Sequence, residues 1–162
     1  MFSWLDHRVV DWSGHRVLDL YAGSGALALE AISRGANGAV VVERDRQALA
    51  VIKRNIEELA AGESVVVRAG AVRAVASQAP VPCGLVFADP PYDVSSDEIA
   101  DALADYLAHG WISDEALVVV ETGSRAPSPW PEGIAGLQRR AYGDTAIWYG
   151  HRHVAAPGDE EE

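Results

Sequence analysis

The chain alternates between short apolar runs and longer segments in which apolar residues recur every three or four positions. The runs are rich in valine, leucine and isoleucine, which is typical of buried strands. The longest periodic segment follows Asp45, a residue that suits a helix N-cap, and its apolar positions include Leu49, Ile52 and Ile56. The pattern predicts strands over 16–21, 39–43, 64–68, 84–88 and 116–121, and helices over 26–34, 46–61, 72–78 and 98–108.

The alternation of strands and helices predicts the fold. Strands separated by helices form βαβ units that build a parallel sheet, so we expect a doubly wound α/β domain. Runs over 137–142 and 145–149, joined through Gly143-Asp144, predict a closing antiparallel hairpin after a Pro-, Gly- and Ser-rich loop over 122–136. We expect one domain over 1–150 and a disordered acidic tail over 151–162.

Composition narrows the class of protein. The chain has 162 residues, 49% of them hydrophobic, which suits a single domain with a substantial core. The net charge of −11 argues against a broadly basic nucleic-acid coat but leaves room for a local basic site. A single cysteine, Cys83, excludes a disulfide framework and a cysteine metal cluster. We see neither a signal peptide nor an apolar run of membrane-spanning length, so we expect a cytoplasmic protein without a membrane partner.

A glycine-rich segment between the first predicted strand and helix is typical of a site for a nucleotide-type cofactor. The residues 23–28 fit G-x-G-x-x-A, and Glu43 ends the next strand 20 residues beyond Gly23. Glycines let the backbone approach a nucleoside, and a carboxylate can accept from both ribose hydroxyls. Asp19 stands four residues before Gly23, where it would repel a pyrophosphate and attract a cation. The segment therefore favours S-adenosylmethionine, a sulfonium with an amino group, over a nicotinamide dinucleotide.

The tetrapeptide Asp89-Pro90-Pro91-Tyr92 directly follows the fourth predicted strand and is the most specific signal in the chain. The amino group of a base or an amide is a poor nucleophile because its lone pair is delocalised. The Asp89 carboxylate and the Pro90 carbonyl, held by the rigid Pro-Pro pair, can accept from both N–H bonds and turn the lone pair toward an electrophile. Tyr92 offers a face on which a planar base can stack. These four residues predict a site of amino-group methylation.

Four stretches together carry a family resemblance. The chain resembles class I methyltransferases, and more narrowly the ribosomal RNA small subunit methyltransferase D (RsmD) family, over about residues 2–149. The resemblance implies a Rossmann-like sheet, mostly parallel with a C-terminal antiparallel hairpin. It also implies methyl transfer from S-adenosylmethionine to a guanine N2 of 16S rRNA, leaving S-adenosylhomocysteine and using no metal. The stretches are LDLYAGSGALALEAISRGA (18–36), VVVERD (40–45), FADPPY (87–92) and YGDT (142–145).

The same resemblance assigns partners and site residues. The substrate is expected to be 16S rRNA within a small-subunit assembly particle, and the enzyme is expected to act as a monomer. The catalytic set at the target amine is expected to be Asp89, Pro90, Pro91 and Tyr92. Within the cofactor site, Glu43 is expected at the ribose and Ala71 near the adenine. The whole cofactor set is Asp19, Tyr21, Ala22, Gly23, Ser24, Gly25, Glu43, Arg44, Gly70, Ala71 and Asp89.

Two features depart from the family pattern. Members usually carry Asn or Asp where Gly70 stands, and glycine has no side chain to reach the adenine amino group. Members also carry a basic, Gly- and Arg-rich arm ahead of a stretch like residues 2–5, and this arm is expected to help bind RNA and cover the cofactor. The sequence begins at that stretch, which leaves three explanations open: a misassigned start, a trimmed chain or a member without the arm.

Other assignments stay open from the residues alone. The acceptor can instead be a DNA base, another RNA or a protein amide, or the domain can be a non-catalytic binding module; a dehydrogenase is the least favoured reading. Glu121, at the end of the fifth strand, suits a substrate contact and a plain strand-end charge equally. Arg139 and Arg140 suit phosphate contacts or an ordinary surface pair. The segment 151–153 (HRH) is expected to be solvated rather than to bind a metal.

Overall fold

The computed structural model of the protein describes residues 1–154. Its strands form one sheet in which the first five run parallel, and the last runs antiparallel to both of its neighbours. This architecture confirms the predicted doubly wound α/β sheet with a C-terminal hairpin. The strands are β1 (Arg16–Leu20), β2 (Gly38–Glu43), β3 (Val65–Ala69), β4 (Cys83–Ala88), β5 (Ile112–Gly123), β6 (Ile134–Tyr142) and β7 (Thr145–Arg152), in the spatial order β3-β2-β1-β4-β5-β7-β6.

Helices cover both faces of the sheet, and two of the α-helices within residues 1–154 begin at a side-chain N-cap. The predicted N-cap Asp45 is confirmed, because its Oδ2 accepts from the Ala48 N–H at 2.9 Å. The helix predicted over 98–108 begins two residues earlier, at Ser96, because Ser95 is the N-cap and forms a capping box with Glu98. The helices are α1 (Phe2–Arg8), α2 (Ala26–Ser33), α3 (Arg46–Glu58), α4 (Val72–Ala76) and α5 (Ser96–Ala108), with a 3-10 turn at Trp12–Gly14.

Alternate strand residues point into two hydrophobic cores, one on each face of the sheet. Leu85 and Val119 belong to the core shared with α1, α2 and α3, which we call the α1 face. Val86 and Val118 belong to the core shared with α4 and α5, which we call the α5 face. Because side chains alternate along a strand, a residue's number tells which face its side chain follows. This alternation decides the direction of the polar side chains at the strand ends.

The N-terminal helix α1 was not predicted from the sequence. Its Trp4 ring stacks on Tyr149 of β7 with centroids 4.0 Å apart, and the Trp4 Nε1 donates to Gln138 Oε1 of β6 at 2.9 Å. Phe2 lies 5.7 Å from Phe87 of β4, centroid to centroid. Seven residues are too few to show helical periodicity, and its N-cap makes no side-chain hydrogen bond. Tertiary packing therefore stabilises this helix, and packing is invisible in a local pattern.

The C-terminal strands extend beyond their predicted ends. β5 starts at Ile112 rather than 116, β6 starts inside the predicted loop, and β7 continues to Arg152. His151 Nε2 lies 2.8 Å from Glu115 Oε2, and Arg152 pairs with Asp114, so the expected solvated segment is wrong for these two residues. Residues 155–162 of the predicted tail lie outside the described residues. Within residues 1–154, no helix combines the length and apolar character that crossing a membrane requires.

Candidate active site at the carboxyl ends of β1 and β4

The strand order reverses between β1 and β4, and ligands of doubly wound sheets bind at such a reversal, outside the carboxyl ends of the strands. The predicted site residues lie at or just beyond these ends. The glycine segment follows β1, Glu43 ends β2, and Gly70 and Ala71 follow β3. Asp89 is the first residue after β4. The topology therefore brings four separate stretches of sequence to one edge of the sheet.

The glycine loop between β1 and α2 makes a left-handed turn that approaches β2. Tyr21, Gly23 and Gly25 have φ values of 57°, 58° and 77°. The Ala22 N–H donates to the Val42 carbonyl at 3.0 Å, which anchors the loop to β2. A Cβ placed on Gly23 would meet no atom within 4 Å, so this side of the loop is open. An open, positive-φ glycine is what a backbone that contacts a ligand requires.

The carboxylate of Glu43 is fixed by three backbone donors. Its Oε1 accepts from the Gly23 N–H at 2.9 Å, and its Oε2 accepts from the N–H groups of Arg44 and Asp45 at 2.8 Å each. A carboxylate has about four lone-pair sites, so capacity is left for a further donor. Glu43 thus links β2 to the glycine loop and presents an oriented acceptor at their junction.

Asp19 is buried rather than displayed on the cleft surface. It is 1% exposed, and its Oδ2 accepts from the Ala28 N–H in the first turn of α2 at 3.2 Å. Burial raises the pKa of Asp19 to about 8, and the nearby charges of Asp89 and Glu43 push it in the same direction, whereas the Ala28 hydrogen bond opposes the rise. Asp19 therefore ties β1 to α2 from inside the fold.

The Asp89–Tyr92 segment is the open part of the cleft. Burial raises the pKa of the Asp89 carboxyl, although part of the side chain stays exposed. The Val94 N–H donates to the Pro91 carbonyl at 3.1 Å and closes a turn with Tyr92 at its corner. Tyr92 is 97% exposed. In the part of the chain that the structure describes, no side-chain hydrogen bond engages Asp89 or Tyr92, so both are available to a ligand.

The backbone explains why glycine occupies position 70. Its φ of 154° lies at the edge of the region that favours glycine, and a Cβ there would lie 3.2 Å from Val75 Cγ2. Its N–H donates to the Glu43 carbonyl at 2.9 Å, which holds β3 and β2 in line. A side chain such as Asn or Asp would strain this turn. The adjacent Ala71 is exposed at the N-cap of α4, where its backbone borders the cleft.

Asn55 supports the glycine loop and was missed by the sequence analysis. Its Nδ2 donates to the Ser24 carbonyl at 3.0 Å, while Ile52, one turn earlier on α3, packs 3.5 Å from the Cβ position of Gly25. The only available signal was a polar residue one position before the buried Ile56 of an amphipathic helix, which is too common to be informative. Ser24 itself is exposed, as is Arg44.

The two hairpin arginines have different surroundings. Arg139 lies over the Trp148 ring at 5.0 Å and hydrogen-bonds the Ser124 carbonyl, so it stabilises the hairpin. Arg140 is exposed, and no ion pair among residues 1–154 involves it.

Trp130 packs partly buried against the core of the α5 face, as a lid over its edge. Nowhere in the described chain do three or more His, Cys, Asp or Glu side chains cluster as metal ligands.

Comparison with known proteins identifies relatives of this chain and its fold. The family model described as conserved hypothetical protein 95 matches residues 1–151. The ribosomal RNA small subunit methyltransferase D of Escherichia coli (strain K12) is 37% identical over 160 residues, covering 90% of this chain and 77% of that protein. A conserved hypothetical protein of Streptococcus pyogenes superposes with a TM-score of 0.79 at 31% identity, covering 86% of each chain.

A shorter match concerns a different methyltransferase. Ribosomal protein L11 methyltransferase of Stenotrophomonas maltophilia is 48% identical over 56 residues, which is 33% of this chain and 18% of that protein. A match of this length is compatible with a shared cofactor loop, but it does not relate the two proteins over their whole lengths. The matches that span most of this chain decide the assignment: the chain belongs to the conserved hypothetical protein 95 family and, within it, to the RsmD-like methyltransferases.

Proposed function

We propose that the protein transfers a methyl group from S-adenosylmethionine to the exocyclic N2 amine of a guanine in 16S rRNA. The observation that carries the proposal is the convergence of the glycine loop, Glu43 and Asp89–Tyr92 on one edge of the sheet, at the reversal between β1 and β4. An acceptor for a ribose and two acceptors for an amine then face the same crevice. The kinship with the E. coli RsmD protein supports rRNA as the substrate.

The residues around the glycine loop fit S-adenosylmethionine. The open side of Gly23 admits a close ligand, and the Glu43 carboxylate is oriented to accept from ribose hydroxyls. Ala71 borders the adenine through its backbone, since Gly70 offers no side chain there. When bound, the cofactor supplies an electrophilic methyl group on a cationic sulfur. A cation near the buried Asp19 carboxyl favours its ionised form, whereas a diphosphate opposes ionisation, so Asp19 suits a cationic cofactor better than a diphosphate.

The residues after β4 fit a planar base with an amino group. Asp89 and the Pro90 carbonyl accept from the two N–H bonds of the amine, which turns its lone pair toward the cofactor side of the crevice. Tyr92, exposed at the corner of its turn, stacks on the base. Positioning accounts for most of the rate under this proposal. The amine becomes acidic only as the N–C bond forms, and Asp89, whose pKa is raised, then takes the proton.

The test is methyl transfer from labelled S-adenosylmethionine to small-subunit particles and to naked 16S rRNA, with the mark located by mass spectrometry. Asp89→Ala should lose activity by about 100-fold or more, because it removes an acceptor at the reacting nitrogen. Binding of S-adenosylhomocysteine, measured by calorimetry, should stay close to that of the unmodified protein. Asp93→Ala, in the same exposed turn, is the matched control and should keep its activity. Equal activity of Asp89→Ala would overturn the assigned role.

A second candidate keeps the cofactor and changes the acceptor to a DNA base, another RNA or a protein amide. The net charge of −11 and the local similarity to a protein methyltransferase favour it. The same labelling experiment decides, because the mark would then lie outside 16S rRNA. A non-catalytic binding module is a third reading, and it would bind no S-adenosylmethionine in the calorimeter. The preference between particle and free RNA, and the proposed monomeric state, are read from the two substrates and from the sedimentation of the enzyme.

A further inference from the structure

We propose that Glu121 selects guanine at this site by accepting a hydrogen bond from the N1–H of the target base. The inference rests on the proposed function and adds to it a residue that determines which base is accepted. Under it, Asp89 and the Pro90 carbonyl hold the N2 amine while Glu121 holds the neighbouring ring nitrogen. Three observations carry it: the strand register, the lack of partners for Glu121 and the donor pattern of the bases.

The register places Glu121 beside Asp89. β4 and β5 run parallel, and their last paired residues are Ala88 and Val120, so Asp89 and Glu121 are the next residues of the two neighbouring strands. Backbones of adjacent strands are about 4.8 Å apart. Glu121 follows Leu117 and Val119 in the alternation of β5, and Asp89 follows Leu85 and Phe87, so both take the α1-face direction. The two carboxylates therefore border the same part of the cleft.

The Glu121 carboxylate makes no polar contact that would stabilise the described part of the fold. Among residues 1–154, its carboxylate takes part in no hydrogen bond and no ion pair, unlike Glu43, Glu98 and Glu115. The side chain is only partly exposed. Burial raises the pKa of Glu121, and the charge of Asp89 raises it further. Two neighbouring carboxylates without cationic partners repel each other, and a ligand that brings donors to both relieves the repulsion.

Guanine is the base whose edge complements this arrangement. Its N1–H and N2 amine present three adjacent N–H donors, and the site offers three acceptors in the two carboxylates and the Pro90 carbonyl. Adenine and cytosine carry an amino group next to a ring nitrogen that is itself an acceptor, so its lone pair would face the Glu121 carboxylate. Placing two acceptors opposite each other, with no donor between them, is costly in a partly buried site. The pair of carboxylates therefore admits guanine and rejects the other amino bases.

The experiment compares two RNAs that differ only at the target base, which is guanine in one and 2-aminopurine in the other. Both bases carry the same N2 amine, but N1 is a donor in guanine and an acceptor in 2-aminopurine. The unmodified enzyme should prefer guanine in kcat/KM by about 10- to 100-fold, the effect of one charge-assisted hydrogen bond. In Glu121→Gln this preference should fall by at least about tenfold, because the neutral amide accepts from one base or donates to the other.

Controls separate this inference from the proposed function. Glu132→Gln removes a carboxylate from the loop before β6, at the opposite edge of the sheet, and should keep the full preference for guanine. S-adenosylhomocysteine binding and thermal stability show that Glu121→Gln is folded. If the unmodified enzyme methylates guanine N2 and Glu121→Gln keeps the same preference, the inference is wrong and the proposed function stands. If the unmodified enzyme methylates no guanine, both are wrong.

Discussion

At the scale of the residue, two carboxyl groups at the cleft differ in their surroundings and therefore in their properties. Glu43 is held by three backbone N–H donors and is oriented to receive a ligand. Asp19, at the same edge of the sheet, is 1% exposed and has a pKa raised to about 8. The carboxyl group of Glu43 is thus an oriented acceptor at the cleft, whereas that of Asp19 is a buried group that links β1 to α2 and has a raised pKa. The residue type alone does not predict this difference in burial and pKa.

The raised pKa of Asp19 predicts a specific dependence of stability on pH. The carboxyl is neutral in the folded protein up to about pH 8, whereas the ordinary pKa of an exposed aspartate is 3.8. Protonated Asp19 stabilises the folded state fully below pH 3.8. This stabilisation decreases as pH rises above that value and is lost once pH has passed the folded-state pKa of about 8. Asp19→Asn keeps an oxygen that accepts from the Ala28 N–H but cannot ionise. The variant should therefore gain stability relative to the unmodified protein between about pH 5 and about pH 8.

Urea unfolding across this pH range measures the difference. The free energy of unfolding of the unmodified protein should fall relative to Asp19→Asn as pH rises, and the gap should become constant above the pKa. Asp93→Asn, in the exposed turn after Tyr92, controls for the loss of a negative charge. Parallel curves for Asp19→Asn and the unmodified protein would mean that Asp19 ionises at its ordinary pKa in the fold.

At the scale of the element, the local sequence pattern predicted the strands that are buried on both faces. It missed the element boundaries that depend on contacts with a neighbouring element. The five parallel strands were predicted because a central strand such as β2 is a continuous apolar run. The start of β5 was missed because residues 113–115 are polar; Asp114 and Glu115 pair with Arg152 and His151 of the neighbouring strand β7. The site could be located from the sequence because its residues follow strand ends. The contact of Asn55 with the glycine loop and the position of Glu121 beside Asp89 could not, since both depend on how separate elements pack or pair.

Helix α1 is the element whose contribution can be tested most directly. Trp4 stacks on the Tyr149 ring, and the Arg8 guanidinium lies over the Trp4 ring, 4.7 Å from its centroid. Trp4→Ala removes both contacts and the hydrogen bond to Gln138, so it should lower the free energy of unfolding by about 3–5 kcal/mol. Val10→Ala, at a position that is 99% exposed, should change it by less than about 0.5 kcal/mol. Denaturant unfolding compares the two, and equal small effects would mean that α1 does not dock on the sheet.

At the scale of the whole molecule, a net charge of −11 must be reconciled with an RNA substrate. A net negative field repels the phosphate backbone at long range, so affinity has to come from cations close to the cleft. The sheet register identifies one. Glu121 of β5 pairs with Ile147 of β7, which pairs with Arg140 of β6, so the three form a row across the sheet. Two strand spacings put Arg140 about 10 Å from Glu121, within the reach of a phosphate of the bound nucleotide.

Neutralising this single cation should be visible in the salt dependence of RNA binding. Each phosphate contact to single-stranded RNA contributes about 0.7 to the slope of log affinity against log salt concentration, so Arg140→Gln should reduce the slope by about that amount and weaken binding. Arg16→Gln removes the same charge at the amino end of β1, the opposite edge of the sheet, and should leave the slope unchanged. Filter binding or fluorescence anisotropy at several salt concentrations measures both. Equal slopes for Arg140→Gln and the unmodified protein would exclude a phosphate contact at Arg140. An equal reduction of the slope in Arg140→Gln and Arg16→Gln would mean that RNA binding depends only on the overall charge of the protein.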